Sequence, residues 1–344
     1  MERTISRRSM MVAAGSAGVA AAVLGVPGRA NAMHVMETEK ARALGAAGKQ
    51  GAGYYRFNVG AVEGTVVSDG WFGFSNLHPM FAPEATKAEL EKALGDAMHP
   101  TDKATGELNP VVLKLGNEVV LIDAGMGSYG KAGGGTSGRF MENFAAAGFR
   151  PEQITGVVLT HAHGDHINGL VTDAGTPAFP NARVFVNKAE VEFFTGPGVM
   201  PNSRLPEADA KGMVANAAAK LAVLKEKLEL IKPGDKVLGG LEFVDAAGHT
   251  PGHMCVSVDA GGERLFVMGD LAHNHVVMFH NPNWTIAFDT DPKMAAAARK
   301  RIFPMLAADR ARVLAYHLPW PGFGRVGKHG DSYWWSIEPW SWGG

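Results

Sequence analysis

Apolar positions along this 344-residue chain follow two periods. Short β-branched runs bounded by glycine occur at residues 63–70 (EGTVVSDG), 110–125 (PVVLKLGNEVVLIDAG) and 156–163 (GVVLTHAH), the signature of strands. The second run is split by Gly116-Asn117 and predicts a hairpin turning there. Further strands are expected at 182–188, 236–248, 253–270 and 311–318. Helical spacing is predicted over Thr86–Met98, Arg139–Gly148, residues 206–231 and Pro292–Leu306. Helices interspersed among two sets of strands predict an α/β protein, with helices packed outside two sheets.

The N-terminus reads differently. MERTISRRSM is basic and carries the pair Arg7-Arg8, MVAAGSAGVAAAVLGV (11–26) is a weakly hydrophobic Gly/Ala stretch, and ANA (30–32) is a small-x-small cleavage site. This anatomy predicts an export signal over residues 1–32, of the twin-arginine type, cut near Ala32 to leave a periplasmic or secreted product. The stretch falls short of the roughly 20 strongly apolar residues of a spanning helix, so no stable membrane anchor is expected. Residues 33–58 then read as an arm of weak helical character, and 59–344 as the functional domain. Composition adds little: 46% hydrophobic and 19% charged residues can bury a sizeable core. A formal net charge of -1 supplies no basic field for nucleic acid. The single cysteine, Cys255, cannot form an internal disulfide and reads as core.

The chemistry is concentrated in THAHGDHING (160–169). At the end of an apolar strand, His161 and His163 point to one side of an extended segment. Gly164 allows a sharp turn that brings Asp165 and His166 round from another direction. One short turn can thus face two adjacent metal ions, each needing further ligands from elsewhere. His249 in AAGHTPGHM, Asp270 in FVMGDLAH and His317 in VLAYHLPWPG each stand at the end of an apolar strand. Singly they read as a turn histidine, a capping aspartate and a strand-end histidine. Jointly they supply what the turn lacks.

HAHGDH, GHTPGH, MGD and YHLPWPG, in that order and with LIDAG (121–125) upstream, resemble the metallo-β-lactamase-fold hydrolases over most of residues 60–325. FRPEQITGVVLTHAHGDHINGL, FPNARVFVNKAEVEFF and FDTDPKMAAAARKRIFPMLA are similar to the methyl parathion hydrolase group within them. The resemblance implies a four-layer αββα sandwich with a dinuclear site at the edge of the sheets. It assigns His161, His163 and His249 to one metal, Asp165, His166 and His317 to the other, and Asp270 to both. Asp123 would orient a ligand imidazole, and His253 would be structural. The implied cofactor is a pair of divalent ions, zinc first, with manganese, iron or cobalt also compatible. A metal-bridging hydroxide would attack a small-molecule lactone, ester or phosphotriester.

His273, three residues after Asp270, stands where lactonase relatives carry a tyrosine; it reads either as a catalytic donor to the substrate carbonyl or as an ordinary loop histidine. Trp71, Phe72, Phe193, Phe194, Trp284 and Trp320 are candidates for an apolar substrate pocket. The glycine run GSYGKAGGGTSG (127–138) departs from the relatives, which have a pocket aromatic there. The alternatives are a mononuclear iron dioxygenase acting on thiol-linked substrates, a β-lactamase proper, and a non-catalytic binding protein. SYWWSIEPWSW at the C-terminus either closes the core or forms a homodimer contact.

Overall fold

The two predicted sets of strands form two seven-stranded sheets. A computed structural model describes residues 53–132, 136–197, 200 and 202–341; the expected export signal (1–32) and the arm to residue 52 lie outside the described residues. The first sheet begins with β1 (Tyr54–Val59) and β2 (Val62–Val67). The chain then leaves it for a separate ribbon, β3 (Gly70–Ser75) paired with β4 (Lys103–Leu108). The sheet resumes with β5 (Val111–Leu115), β6 (Glu118–Ile122), β7 (Gly156–Leu159), β8 (Arg183–Asn187) and β9 (Leu228–Ile231), in the order β1-β2-β5-β6-β7-β8-β9. The second sheet runs consecutively through β10 (Lys236–Val237), β11 (Leu241–Asp245), β12 (Met254–Asp259), β13 (Arg264–Val267), β14 (Arg312–Leu314), β15 (Phe323–His329) and β16 (Ser332–Ile337).

Period-2 alternation sorts the strand residues into layers. Leu113, Val120, Ile122, Val256, Leu265, Val267 and Leu314 share one core between the sheets. Their neighbours face outward: Val112, Leu121 and Val157 meet helices Phe140–Ala146, Lys188–Thr195 and Glu207–Leu224. Cys255, Phe266 and Val313 meet helices Lys87–Asp96 and Pro292–Asp309. The result is helix, sheet, sheet, helix, as expected. Cys255 is fully buried, its thiol donating to the Met268 carbonyl at 3.3 Å.

The Gly116-Asn117 hairpin forms between β5 and β6, with Gly116 at φ 60°. Three expectations need adjustment. The helix expected over 206–231 stops at Leu224, and Leu228–Ile231 becomes β9 because it pairs in parallel with β8. The last residues of the expected arm form β1, an edge strand. The aromatic C-terminus divides: Trp335 is buried against Phe279, whereas Trp334 is 50% exposed on β16.

Candidate metal centre

Strand register brings the candidate residues to one edge of the sandwich. β13 and β14 are parallel with Val267 opposite Leu314, so Asp270 and His317, each three residues further on, leave side by side. Gly269 makes the turn at φ 51°, where a side chain would come within 2.7 Å of His253 Nε2. β6 and β7 are likewise parallel, which sets Asp123 beside Thr160 and the histidine turn. The Met254 N–H donates to the Thr160 carbonyl at 3.1 Å, fastening the second sheet to the first at this edge.

Two groups of side chains converge there. His161, His163, His249 and Asp270 form one, and Asp165, His166 and His317 the other; within each, the possible ligand atoms lie within 4.8 Å of one another. Asp270 joins them. Its Oδ2 lies 3.6 Å from His161 Nε2, 3.2 Å from His249 Nε2 and 3.2 Å from His317 Nε2, and its Oδ1 lies 3.2 Å from His166 Nε2. Asp165 Oδ2 lies 3.5 Å from His166 Nε2 and 3.4 Å from His317 Nε2. His273 is the eighth member: its Nε2 is 3.1 Å from Asp270 Oδ2, its ring stacks on His317, and Asp270, His273 and His317 make a third group.

Outer contacts set which nitrogen faces inward. Asp123 Oδ2 accepts from His166 Nδ1 at 2.8 Å, while the same carboxylate takes the Thr160 backbone N–H and hydroxyl. Asp123 holds a left-handed backbone, φ 59°, to do this, an unusual state for a residue other than glycine. Asp289 Oδ1 accepts from His249 Nδ1 at 2.8 Å, and the Glu107 carbonyl from His317 Nδ1 at 2.9 Å. His253 has both nitrogens engaged: Nδ1 donates to the Ala246 carbonyl, and Nε2 accepts the Asp270 N–H. It is structural.

Asp289 and a second carboxylate, Glu190, carry no sequence signal of their own. Glu190 is fully buried and accepts from Ala162 N–H at 2.8 Å, Thr250 hydroxyl at 2.7 Å and Gly252 N–H at 2.8 Å. It therefore ties the HAHGDH turn to the GHTPGH turn. Tyr316 packs its ring against His166, centroids 4.0 Å apart and tilted by 30°, and donates its hydroxyl to the Asp165 carbonyl at 2.6 Å.

The donor set suits cations. His161 Nε2, His163 Nε2, His166 Nε2 and Asp270 Oδ1 are buried with no hydrogen-bond partner, a cost of about 1–3 kcal/mol for each such group. His166 Nε2 faces Asp270 Oδ1 at 3.2 Å with no hydrogen bond between them. Burial would lower the His166 ring, but the carboxylates of Asp270, Asp165 and Asp123 outweigh it and hold it well above the ordinary histidine value; a cation in the cluster would take the place of that proton. Protonation follows the same layout. Burial holds His161 and His163 well below the ordinary histidine value, as neutral ligands require. At His249 burial also lowers the value, but the hydrogen bonds to Asp270 and Asp289 outweigh it and raise the ring to about 9. Burial alone would raise Asp270; the surrounding imidazoles outweigh that and hold it well below the usual carboxylate range.

A cleft opens on the cluster. Of the six aromatic candidates only Phe72 lines it, joined by Phe74, Met213, Ile286 and Phe288. Trp71 immediately precedes Phe72 on β3 and so takes the other face. Phe194 is buried behind His163 with Phe193 against it, Trp284 belongs to the outer core of the second sheet, and Trp320 packs toward the core between the sheets. Phe74 stands two residues after Phe72 on the same strand face, a signal the sequence offered.

Residues 106–317 match the sequence profile described as the Metallo-beta-lactamase superfamily. The chain belongs to that superfamily. Among solved metallo-beta-lactamase folds it is similar to AidC, described as a dizinc quorum-quenching lactonase, at 30% identity and a TM-score of 0.79 over 84% of this chain and 98% of that one. It is equally similar to AbOPH, a hydrolase in the beta lactamase superfamily, at 30% identity and 0.77 over 85% and 100%. The probable metallo-hydrolase Rv2300c of Mycobacterium tuberculosis (strain ATCC 25618 / H37Rv) is 27% identical over 176 residues, 49% of this chain and 52% of that protein. The uncharacterized protein YobT of Bacillus subtilis (strain 168) is 27% identical over 147 residues, 43% and 55%. The chain spans about half the length of these curated relatives. Its clustered histidines and aspartates could hold divalent metal.

Proposed function

We propose that this protein is a dinuclear hydrolase whose natural substrate is a small-molecule lactone, with esters and phosphotriesters as further substrates. The observation that carries the reading is the pair of ligand groups sharing Asp270 at the base of a largely apolar cleft. His161, His163, His249 and Asp270 would hold one ion; Asp165, His166, His317 and Asp270 the other. Zinc is the first choice, by similarity to AidC. The second ligand group disfavours a mononuclear iron dioxygenase. The narrower resemblance to the methyl parathion hydrolase group belongs to this reading, as does export of the chain by its N-terminal signal.

When bound, such a metal pair supplies Lewis acidity and water activation at neutral pH. The remaining work falls to the chain. Asp123, Asp289 and the Glu107 carbonyl hold protons at the outer nitrogens of His166, His249 and His317, so that each turns Nε2 inward. Phe72, Phe74, Ile286 and Phe288 exclude bulk water from the apolar part of a substrate. His273 sits 7% exposed in the cleft wall, and burial lowers its ring to about 4; its single N–H faces Asp270 Oδ2 at 3.1 Å, and with that carboxylate bound to metal the N–H would be released to donate to a substrate carbonyl. The decisive experiment measures metal per chain by elemental mass spectrometry, with turnover of lactones, aryl esters and phosphotriesters. Two equivalents and lactone turnover are expected; one equivalent of iron would overturn the reading. In Asp270→Ala, metal and turnover should be lost while circular dichroism is retained, and full metal content in that variant would refute the shared-ligand assignment.

A further inference from the structure

Apart from the clustered histidines and aspartates, the side chains lining the cleft are apolar, with one exception among the described residues, Asn216. It lies on helix Glu207–Leu224, one turn after Met213 and on the same face. Asn216 Nδ2 donates to Asn168 Oδ1 at 2.9 Å, and Asn168 is 3% exposed in the turn that follows HAHGDH. A side chain at Gly164 would come within 3.0 Å of the Asn168 amide nitrogen and 3.3 Å of the Asn216 one. Glycine at 164 therefore lets this amide pair sit against the turn that carries His163 and Asp165. An asparagine side chain offers two N–H donors and one carbonyl acceptor. Asn168 engages one N–H, which fixes the amide plane; among the described residues the Oδ1 has no partner.

We propose that Asn216 selects substrates bearing a hydrogen-bond donor close to the scissile carbonyl. Its Oδ1 accepts that N–H or O–H, while Met213, Phe72, Phe74, Ile286 and Phe288 receive the apolar arm. The proposal rests on the lactone-hydrolase reading above. A substrate donor brought into an otherwise apolar wall must find an acceptor or remain desolvated, and this asymmetry is what makes one polar side chain discriminating. Asn216 also braces the HAHGDH turn through Asn168, so loss of activity alone would not reveal a selective role.

The test uses metal-loaded protein and two γ-lactones with apolar arms of equal length, one joined through an amide N–H and the other through a methylene. The ratio of kcat/KM between them is measured for the parent, Asn216→Leu and Asn216→Asp. The ratio should fall about tenfold in Asn216→Leu, and Asn216→Asp, which keeps an acceptor oxygen, should hold it within about threefold of the parent. Calorimetric titration with the two ring-opened hydroxy acids yields the corresponding binding ratio without turnover. If neither lactone is hydrolysed, the lactone reading fails, yet the calorimetric ratio still decides the role of Asn216. Equal losses on both ligands in Asn216→Leu, in turnover and in binding, would overturn the proposal and leave Asn216 as a brace.

Discussion

Asp289 shows what a single carboxylate outside the ligand set can do. Its Oδ1 accepts the His249 Nδ1 proton at 2.8 Å and its Oδ2 the Ile286 N–H at 3.2 Å, fixing the imidazole's tautomer and angle together. Burial would raise this carboxyl, but the hydrogen bond and charge of His249 outweigh it and hold it below the ordinary value. Asp289→Asn should weaken metal binding about 10- to 100-fold, the usual loss when a ligand histidine loses its outer partner. Competition with a coloured chelator reads this directly, and unchanged affinity would sink the assignment. A second residue-scale effect lies at His275, whose Nε2 is 3.0 Å from His99 Nε2. Burial, then the charge of His99, lowers His275 to about 4. Its folded value lies below its unfolded one, so its contribution is complete above pH 6.5 and is lost as pH falls toward 4. Replacing it with Gln should remove about 1–3 kcal/mol of acid sensitivity in that window, read from urea midpoints at several pH values. Parallel pH profiles would reject this. The motif histidines were legible because each ends an apolar strand. Asp289 and Glu190 were not, because the groups they tie to the site lie 28 to 62 residues away and no spacing announces them.

At the scale of elements, hydrophobic period revealed the strands buried on both faces and the hairpin at Gly116, and it failed where context decides. The ribbon of β3 and β4 mixes glycine, polar and aromatic residues, and only its pairing makes it regular. Leu228–Ile231 continues a helical pattern in sequence yet pairs with β8. Helix Pro292–Asp309 has a role its amphipathic face did not declare. Arg299, 1% exposed, donates to the Pro282 carbonyl at 3.1 Å, the Leu271 carbonyl at 3.2 Å and the Trp284 carbonyl at 2.8 Å. One buried guanidinium thus fastens the segment that supplies His273 and approaches Ile286 and Phe288. Arg299→Met keeps much of the volume but leaves three carbonyls unpaired. It should cost about 3 kcal/mol or more in chemical denaturation. A loss below 1 kcal/mol would mean that the packing of Trp284 and Phe279 holds this segment unaided.

Over the whole molecule, the site exists only where the two sheets meet. HAHGDH follows β7 of the first sheet, whereas GHTPGH lies between β11 and β12 of the second. Neither turn alone completes a ligand group: His161 and His163 come from one, His249 from the other. The core between the sheets aligns the two halves, but side-chain packing cannot set two turns to the fraction of an ångström that metal geometry demands. Glu190 can, since one oxygen takes the Ala162 N–H and the other takes the Thr250 hydroxyl and the Gly252 N–H. Ala162 lies between two of the clustered histidines, and Thr250 follows the third. Glu190→Gln preserves shape and swaps one acceptor oxygen for an N–H donor, which must then face a backbone N–H. The mismatch should cost about 1–3 kcal/mol, and metal affinity should fall roughly tenfold because the ligand turns lose their common anchor. Urea unfolding of the metal-free protein isolates the first effect, and chelator competition the second. Loss of stability with parental metal affinity would mean that Glu190 holds the halves together without aligning them. Parental values in both would leave the alignment to the sheets' shared core and to the Met254–Thr160 bond at its edge.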